Sequence, residues 1–479
     1  MRRPPAVLAR VARRTHVLLP VCLLVALWLP GAHEGWFRTD AHRYAAIALR
    51  AFETGEWLAL AAGGEPYFNK PPLVFWIHGV TLGVLGPEVW VARAKTLVGA
   101  IAAVLLAVRA ARLLAGPKTA LLAGVVLATT LEFFRYTRTI SLDVWQTAAF
   151  MLLVAGAAHA HRTGRGGQLL ALGGLGVGAA LLTKPFVAAL PVVILAGWFV
   201  IEKRWRLLPW LAGAAALGAL IAAPWHWLMI DRFGGAFTGR YFGTETLERA
   251  TGNELVTSRE PVWHGLRVLG ETYWPWLAVA ALALFDVARR RMPGRDRSAL
   301  TLALVWTGVW LVALAAFADR RERYMMPIYP LLAWLPALWL ARRAPAWLKR
   351  PGRAAVHTAA PAALAVGLVG LALTLLTPLR VHEPINPKWD PLVRWLDTHP
   401  DEQVFTTPHA NTAAANLYLL RGDWPALAGP TPDGFGETAP AGAVLFLDVR
   451  QHPDFERLGA VVASGETLRL VRLDRPFAP

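Results

Sequence analysis

Apolar residues run in long blocks along most of this chain. Eleven blocks stand out, at 16–32, 97–116, 119–133, 144–160, 168–182, 186–201, 207–223, 275–288, 298–317, 325–341 and 354–376. Crossing a bilayer takes roughly 20 residues of apolar helix. In lipid such segments must be helical, because backbone N–H and C=O groups there have no water to bond. The expected fold class is a polytopic α-helical membrane protein with about eleven transmembrane helices. Three polar stretches interrupt the pattern: 33–92, 224–274, and the tail from about 377 onward. They divide the chain into a membrane domain, 1–376, and a tail domain, 377–479. Within the tail, alternation predicts strands at Gln403–Thr407, Ala443–Val449 and Leu468–Leu473, with a helix over Asn411–Leu420. A small C-terminal α/β appendage follows from that pattern.

The first polar stretch has a helical pattern of its own. From Asp40, apolar residues recur at Tyr44, Ile47, Ala48, Ala51 and Phe52, one stripe of a helix. Thr39 or Asp40 suits its N-terminus and Gly55 its end. A short helix of this kind after a span is expected to lie in the interface plane. Next comes Tyr67-Phe68-Asn69-Lys70-Pro71-Pro72-Leu73, where two prolines stiffen the turn beside Lys70.

Composition agrees with the membrane reading: 55% of the 479 residues are hydrophobic and mean hydropathy is +0.40. The net charge of +17 does not indicate nucleic acid, because the basic residues punctuate alternate loops. Arg2 to Arg14, Arg109 to Lys118, Arg162 and Arg165, Lys203 to Arg206, Arg289 to Arg297 and Arg342 to Arg353 all fall on one side of the spans. That is the positive-inside pattern; it places the N-terminus in the cytoplasm and, with an odd span count, the tail outside. The first block reads as an uncleaved span, since Pro30-Gly31-Ala32-His33-Glu34 is a poor signal-cleavage site. Cys22, the single cysteine, lies within that block and cannot form an internal disulfide.

Several polar side chains sit where the membrane pattern does not ask for them. Asp40 could accept a proton from an acceptor hydroxyl, or simply cap a helix. Lys70 could hold a lipid phosphate, or snorkel to headgroups. Asp143, at the start of a span, is either a functional acid or a favourable charge at a helix N-terminus. Lys184, in Leu182-Thr183-Lys184-Pro185, marks a tight turn or a second phosphate contact. His226 is a structural histidine or a candidate metal ligand, the only candidate in the chain for a divalent metal. Arg320, Arg321 and Arg323, followed by Tyr324, form a basic cluster on the side that positive-inside disfavours. They either bind an anion or pair locally with Asp319 and Glu322. No Walker loop and no GxGxxG after a strand is present, so a phosphate-activated donor would have to arrive through the membrane.

Taken in order, these segments resemble a known family. Trp36 to Tyr44, Gly55-Glu56-Trp57 and Tyr67 to Leu73 are similar to the first external loop of the C-fold glycosyltransferases. The likeness is to the superfamily of protein O-mannosyltransferases and lipid A aminoarabinose transferases. Arg135 to Asp143, Thr183-Lys184-Pro185, Pro224-Trp225-His226 and Arg323 to Pro330 match its later landmarks in order. The chain has Asn69-Lys70 where aminoarabinose transferases carry Glu-Lys, and Asp40-Ala41 where many members carry Asp-Glu.

The resemblance implies a polyprenyl-phosphate sugar donor and inverting transfer to a lipid, glycan or protein acceptor at the outer face of the cytoplasmic membrane. It puts Asp40 in the place of the catalytic acid and Asp143 in that of a second one. Arg43, Tyr44, Lys70, Lys184, Arg320, Arg321, Arg323 and Tyr324 take the substrate and carrier-phosphate side. A transporter of lipid-linked glycans would share the spans, but would not need a fixed acid beside a lysine and a basic cluster in external loops. Matched repeats, common in transporters, are not evident in the sequence.

Overall fold

The computed structural model describes residues 18–29, 39–62, 65–248, 260–288 and 296–343, and, towards the C-terminus, 392, 395, 398–399, 401–407, 426–427, 438–449, 452–464 and 468–477. The block at 354–376 and the helix expected over Asn411–Leu420 lie outside these residues. The chain divides into two compact units. One comprises 1–31, 69–73 and 96–380; the other comprises 32–68, 74–95 and 381–479.

The first unit is helical. After α1 (Leu18–Trp28), α2 (Thr39–Thr54) and α3 (Leu73–Leu85), the long α4 (Val89–Ala115) runs into it and stops at Gly116, whose φ of 92° no side chain favours. Pro117 then opens α5 (Pro117–Ala128), a position where its missing N–H costs nothing. Helix α5 is followed by α6 (Leu131–Thr137), and the two meet at 65° rather than forming the single block that hydropathy gave over 119–133. Thr129 and Thr130 cause the break: their hydroxyls return to the carbonyls of Val125 and Val126 at 2.8 Å, ending the helix locally. Helix α7 (Leu142–Thr163) closes at Gly164, φ 73°, and α8 (Gly167–Leu181) turns back along it.

Helix α8 packs against both α7 and α10 (Leu208–Thr238), with α9 (Ala189–Ile201) between them in sequence. Glycine permits this close approach. A Cβ on Gly176 would stand 2.5 Å from the Ala149 carbonyl oxygen of α7, and one on Gly218 of α10 would stand 2.5 Å from Val177 of α8. Small residues at such contacts let apolar helices share dispersion contacts that lipid would otherwise supply. Helix α10 does not stop at Pro224, where the apolar block ends. It continues to Thr238 through a non-helical Gly234 and passes into a π-helical segment, Gly239–Glu248. Next come α11 (His264–Thr272) and α12 (Trp274–Ala288), bent by 108°, then α13 (Arg297–Ala316), α14 (Tyr329–Leu332) and α15 (Trp334–Arg343). Among the described residues three helices are long and apolar enough to cross a membrane, five if each bent pair is one span.

In the second unit, α2 ends at Gly55, φ 74°, as its sequence indicates. Its buried face is wider than the expected stripe: Ala45 and Ala46 are as buried as Ile47 and Ala48. Helix α3 lies against α2, with Gly79 facing the Ala48 carbonyl and Gly83 facing the Phe52 ring. A short hairpin, β1 (Ala61–Ala62) with β2 (Glu65–Pro66), leads to Tyr67. Towards the C-terminus stands a five-stranded mixed sheet in the order β4-β3-β5-β7-β6. Its strands are β3 (Val404–Thr406), β4 (Ala426–Leu427), β5 (Val444–Asp448), β6 (Gly459–Ser464) and β7 (Leu468–Leu473). Alternate residues of central β5 go to opposite cores: Val444 and Phe446 with Leu470 on one face, Leu445 and Leu447 with Val471 on the other. Strands β4 and β6 were not marked by alternation in the sequence.

Replacing Gly176 by Val puts a branched side chain where α7 backbone already stands. Thermal unfolding of the detergent-solubilised variant is expected to show a loss of about 1–3 kcal/mol. An unchanged Tm would mean that α7 and α8 are not packed this closely.

Candidate functional site

Lys70, Lys184, Arg320, Arg321, Arg323 and Tyr324 lie at three turns of the first unit. The turn 69–73 carries Lys70. Both prolines after it are buried, and the Leu73 N–H donates to the Leu182 carbonyl at 3.1 Å. That bond ties it to the second turn, 182–185, at the end of α8. There the Lys184 N–H donates to the Ala180 carbonyl, closing the last helical turn before Pro185. The third turn is 319–326, between α13 and α14, a 3-10 segment carrying Arg323 and Tyr324.

Each cation at these turns has a definite partner. Lys184 Nζ lies 2.5 Å from Asp143 Oδ1, in the first turn of α7, and 5.1 Å from the centre of the Tyr324 ring. Arg323 stands over the same ring, its Cζ 5.8 Å from the centre. Tyr324 is therefore held by two cations, and its hydroxyl donates to Asp319 Oδ2 at 3.3 Å. Burial pushes its phenol above the ordinary value, so it remains a proton donor. Asp143 is buried in this cluster, in the first turn of α7, where it neutralises the Lys184 ammonium.

Lys70 donates to Glu245 Oε2 at 2.7 Å and to the Asn69 carbonyl at 2.9 Å. Glu245 belongs to the π-helical segment after α10, as does Arg240, whose Nε donates to Asn69 Oδ1 at 3.1 Å. Neither Glu245 nor Arg240 is singled out by the sequence. They lie 175 and 171 residues from their partners, in a stretch that reads only as a polar loop.

The arginine cluster divides. Arg321 Nε lies 3.1 Å from both oxygens of Asp319, which is the local pairing. Arg320 donates to the carbonyls of Glu260 and Ala315, at 2.5 and 2.8 Å, and so satisfies the end of α13. Glu322 instead approaches Arg135 at 3.9 Å, and Arg135 holds the fully buried Glu132 at 3.0 Å.

His226 has both ring nitrogens engaged. Nδ1 is 3.0 Å from the Ala222 carbonyl and Nε2 is 3.0 Å from the Tyr241 hydroxyl. A carbonyl only accepts, so in the neutral ring Nδ1 carries the proton and Nε2 accepts from Tyr241. These two bonds give the ring a structural role between α10 and the segment after it. Among the described residues no three His, Cys, Asp or Glu side chains are grouped to share a metal ion.

In the second unit, Asp40 is the second residue of α2, inside its first turn; its side chain lies outside the described part. The Arg43 guanidinium lies 5.7 Å from the centre of the Tyr67 ring, and Tyr44 and Tyr67 both meet Phe75 edge-on at 5.5 and 5.6 Å. Tyr44 is thus part of a buried aromatic group that fixes α2 to α3.

With this geometry in view, similarity to known proteins becomes informative. Residues 69–227 match the family model described as dolichyl-phosphate-mannose-protein mannosyltransferase. The chain is similar to the undecaprenyl phosphate-alpha-4-amino-4-deoxy-L-arabinose arabinosyl transferase of Edwardsiella ictaluri, 27% identical over 71% of this chain and 61% of that one. The Pseudomonas aeruginosa protein of the same name is 28% identical over 78% of this chain and 67% of that one. The chain is similar to these transferases. Its match spans about three fifths to two thirds of their length. The fold is that of ArnT from Cupriavidus metallidurans, solved with undecaprenyl phosphate bound. The TM-score is 0.77 at 19% identity, covering 95% of this chain and 97% of that one. An Archaeoglobus fulgidus oligosaccharyltransferase shares the fold more distantly, with a TM-score of 0.54 at 12% identity over 91% of this chain and 69% of that one. The resemblance read from the sequence therefore holds, and the chain is an integral membrane protein built from several apolar helices.

The Asp143–Lys184 pair gives a direct test of the cluster. Lys184→Met strands a buried carboxylate, and breaking such a pair costs about 3–5 kcal/mol. The double variant Asp143→Asn/Lys184→Met removes both charges and is expected to unfold at a higher temperature than Lys184→Met alone. Additive losses would show that the two side chains do not interact.

Proposed function

We propose that this protein transfers a sugar from a polyprenyl-phosphate donor to an acceptor hydroxyl at the outer face of the cytoplasmic membrane. The acceptor is a lipid A-type or other glycan, or a protein. The observation that carries the reading is the meeting of the Lys70 and Lys184 turns with Tyr324 and Arg323, four groups suited to a phosphate. Similarity to the arabinosyl transferases and to the carrier-bound fold supports it.

In this mechanism the acceptor oxygen attacks the anomeric carbon and inverts it. The bond from that carbon to the phosphate oxygen breaks, and the polyprenyl phosphate leaves. The acceptor proton goes to the Asp40 carboxylate. Lys70, with Lys184, Arg323 and Tyr324, meets the charge that grows on the leaving phosphate. Asp143 holds the Lys184 ammonium in place. Arg43 and Tyr44, on the same helix as Asp40, pack that helix against Tyr67 and Phe75. Arg320 and Arg321 add positive potential while bonded to the protein.

The same reading includes eleven spans, a cytoplasmic N-terminus, the loops 33–92 and 224–274 outside, and a tail from 377 forming an external α/β domain. Reporter fusions at Gly166, Gly294 and Gly352 are expected to score cytoplasmic, and one at Gly434 external. If Gly294 and Gly434 report the same side, this topology fails.

Asp40→Asn separates the base from the helix terminus. At the second position of α2, Asn gives up only a charge favoured there by about 0.3–1 kcal/mol, so expression is expected to be retained and Tm to fall little. A lost base costs on the order of 10²–10⁴ in rate. Undecaprenyl-phosphate binding to the same preparation is expected to be unchanged, whereas Lys70→Ala weakens it and Lys203→Ala does not. Near-normal sugar transfer by Asp40→Asn would remove Asp40 from the mechanism.

A further inference from the structure

One fully buried carboxylate has no part in the transfer mechanism. Glu132 lies in the first turn of α6. Its Oε2 accepts from Arg135 Nη1 at 3.0 Å, one helical turn further on, and its Oε1 has no hydrogen-bond partner. The same Nη1 lies 3.9 Å from Glu322 Oε2. Arg135 thus stands between a sealed carboxylate and a half-exposed one, and Glu322 opens the 3-10 segment that carries Arg323 and Tyr324. Asp319 bonds Arg321 and Tyr324 within its own turn, whereas Glu322 reaches out of that turn to α6. The two clusters adjoin: Glu132, Glu322, Arg323 and Asp143 all lie within electrostatic range of the phenol of Tyr136, the residue after Arg135.

Stability does not account for this arrangement. A buried ion pair is often no better than apolar residues of the same volume, and an unbonded carboxylate oxygen adds a further cost. What the pair supplies is direction. A long arginine side chain loses much rotamer freedom when fixed, and the contact with Glu132 fixes this one where it meets Glu322. We propose that Arg135, oriented by Glu132, is a positioning residue that holds the turn 319–326 through Glu322 and so places Arg323 and Tyr324 for the carrier phosphate. This rests on the carrier-phosphate reading of that turn.

The charges give the inference a sign. Glu322 is an anion beside a site for an anion, so by electrostatics alone its removal favours phosphate binding. If it holds the turn, its removal weakens binding. Glu132 and Arg135 together carry no net charge. Replacing both by glutamine leaves the distant field nearly unchanged, so electrostatics alone predicts no effect and positioning predicts a loss.

The test titrates the full chain in neutral detergent with undecaprenyl phosphate. It also follows hydrogen exchange, without ligand, in the peptide spanning 319–326, where the Tyr324 and Met326 N–H groups bond to Arg321 and Arg323 carbonyls. Glu322→Gln and Glu132→Gln/Arg135→Gln are each expected to weaken binding about tenfold and to speed that exchange. The triple variant is expected to lose no more than either, because the three residues act in one chain. The Tm of Glu322→Gln is expected to stay near the wild-type value, since exposed ion pairs contribute little. Glu271→Gln removes a charge that also acts on Glu132 but pairs with Arg267, and is expected to change binding less than about twofold. Unchanged or tighter binding by Glu322→Gln, or additive losses in the triple variant, would overturn the role of Arg135. Should the paired glutamine variant not fold, Glu322→Gln alone decides, by the sign of its effect. A wild type that binds no undecaprenyl phosphate would overturn the carrier reading instead, and the exchange rates would still decide whether Arg135 holds the turn.

Discussion

A charged side chain placed among apolar helices has to bring its counter-charge with it. Removing one member of such a pair leaves a buried ion whose desolvation costs several kcal/mol. Lys184 meets Asp143, Lys70 meets Glu245, and the fully buried Glu132 meets Arg135. Two of these pairs join residues far apart in the chain, 41 and 175 positions. They therefore do more than neutralise charge. The Lys184 pair anchors the end of α8 to the start of α7, and the Lys70 pair anchors the turn 69–73 to the π-helical segment after α10. The candidate site exists where these requirements coincide.

Helix breaks make that coincidence possible. Beyond the break at Gly234, a π-helical segment follows α10 and delivers both Arg240 and Glu245 to Asn69 and Lys70. The glycines of α8 act in the opposite sense, letting α7 and α10 approach it closely. The Asp143 carboxylate and the Tyr324 ring hold the Lys184 ammonium in place, which preorganises the charge.

Hydropathy made the helical class and most helix positions legible, because burial in lipid leaves a signal in every residue of a span. Bends left little trace. The break between α5 and α6 depends on two threonine hydroxyls that bond locally, a feature that averaging over a block conceals. In the same way Asp143 and Lys184 could be named from the sequence because a polar residue beside apolar blocks is conspicuous, whereas Lys70 stood out beside two prolines and Tyr324 only at the end of a basic run. Glu245 and Arg240 sit among other polar residues and were invisible without their partners. Arg320 was conspicuous for its place in a basic run, yet what it does in the fold is bond two backbone carbonyls, a use no charge count reveals. The tail strands β3, β5 and β7 showed as short apolar runs, β5 because both of its faces are buried, whereas two-residue β4 is too short to leave a signal.

The counter-ion of Lys70 bears on how the proposed reaction could gain speed. A sugar attached to a polyprenyl phosphate leaves the phosphodiester one negative charge, the same as the Glu245 carboxylate. Exchanging one for the other at Lys70 keeps the local charge constant, so donor binding need not gain much from this lysine. When the sugar bond breaks, the phosphate acquires further charge, and the attraction to Lys70, Lys184 and Arg323 rises. An interaction that is modest in the ground state and stronger in the transition state lowers the barrier rather than merely tightening binding. A lysine with a resident carboxylate is therefore better suited to this chemistry than a bare one, which would hold the donor tightly from the outset and release the product slowly.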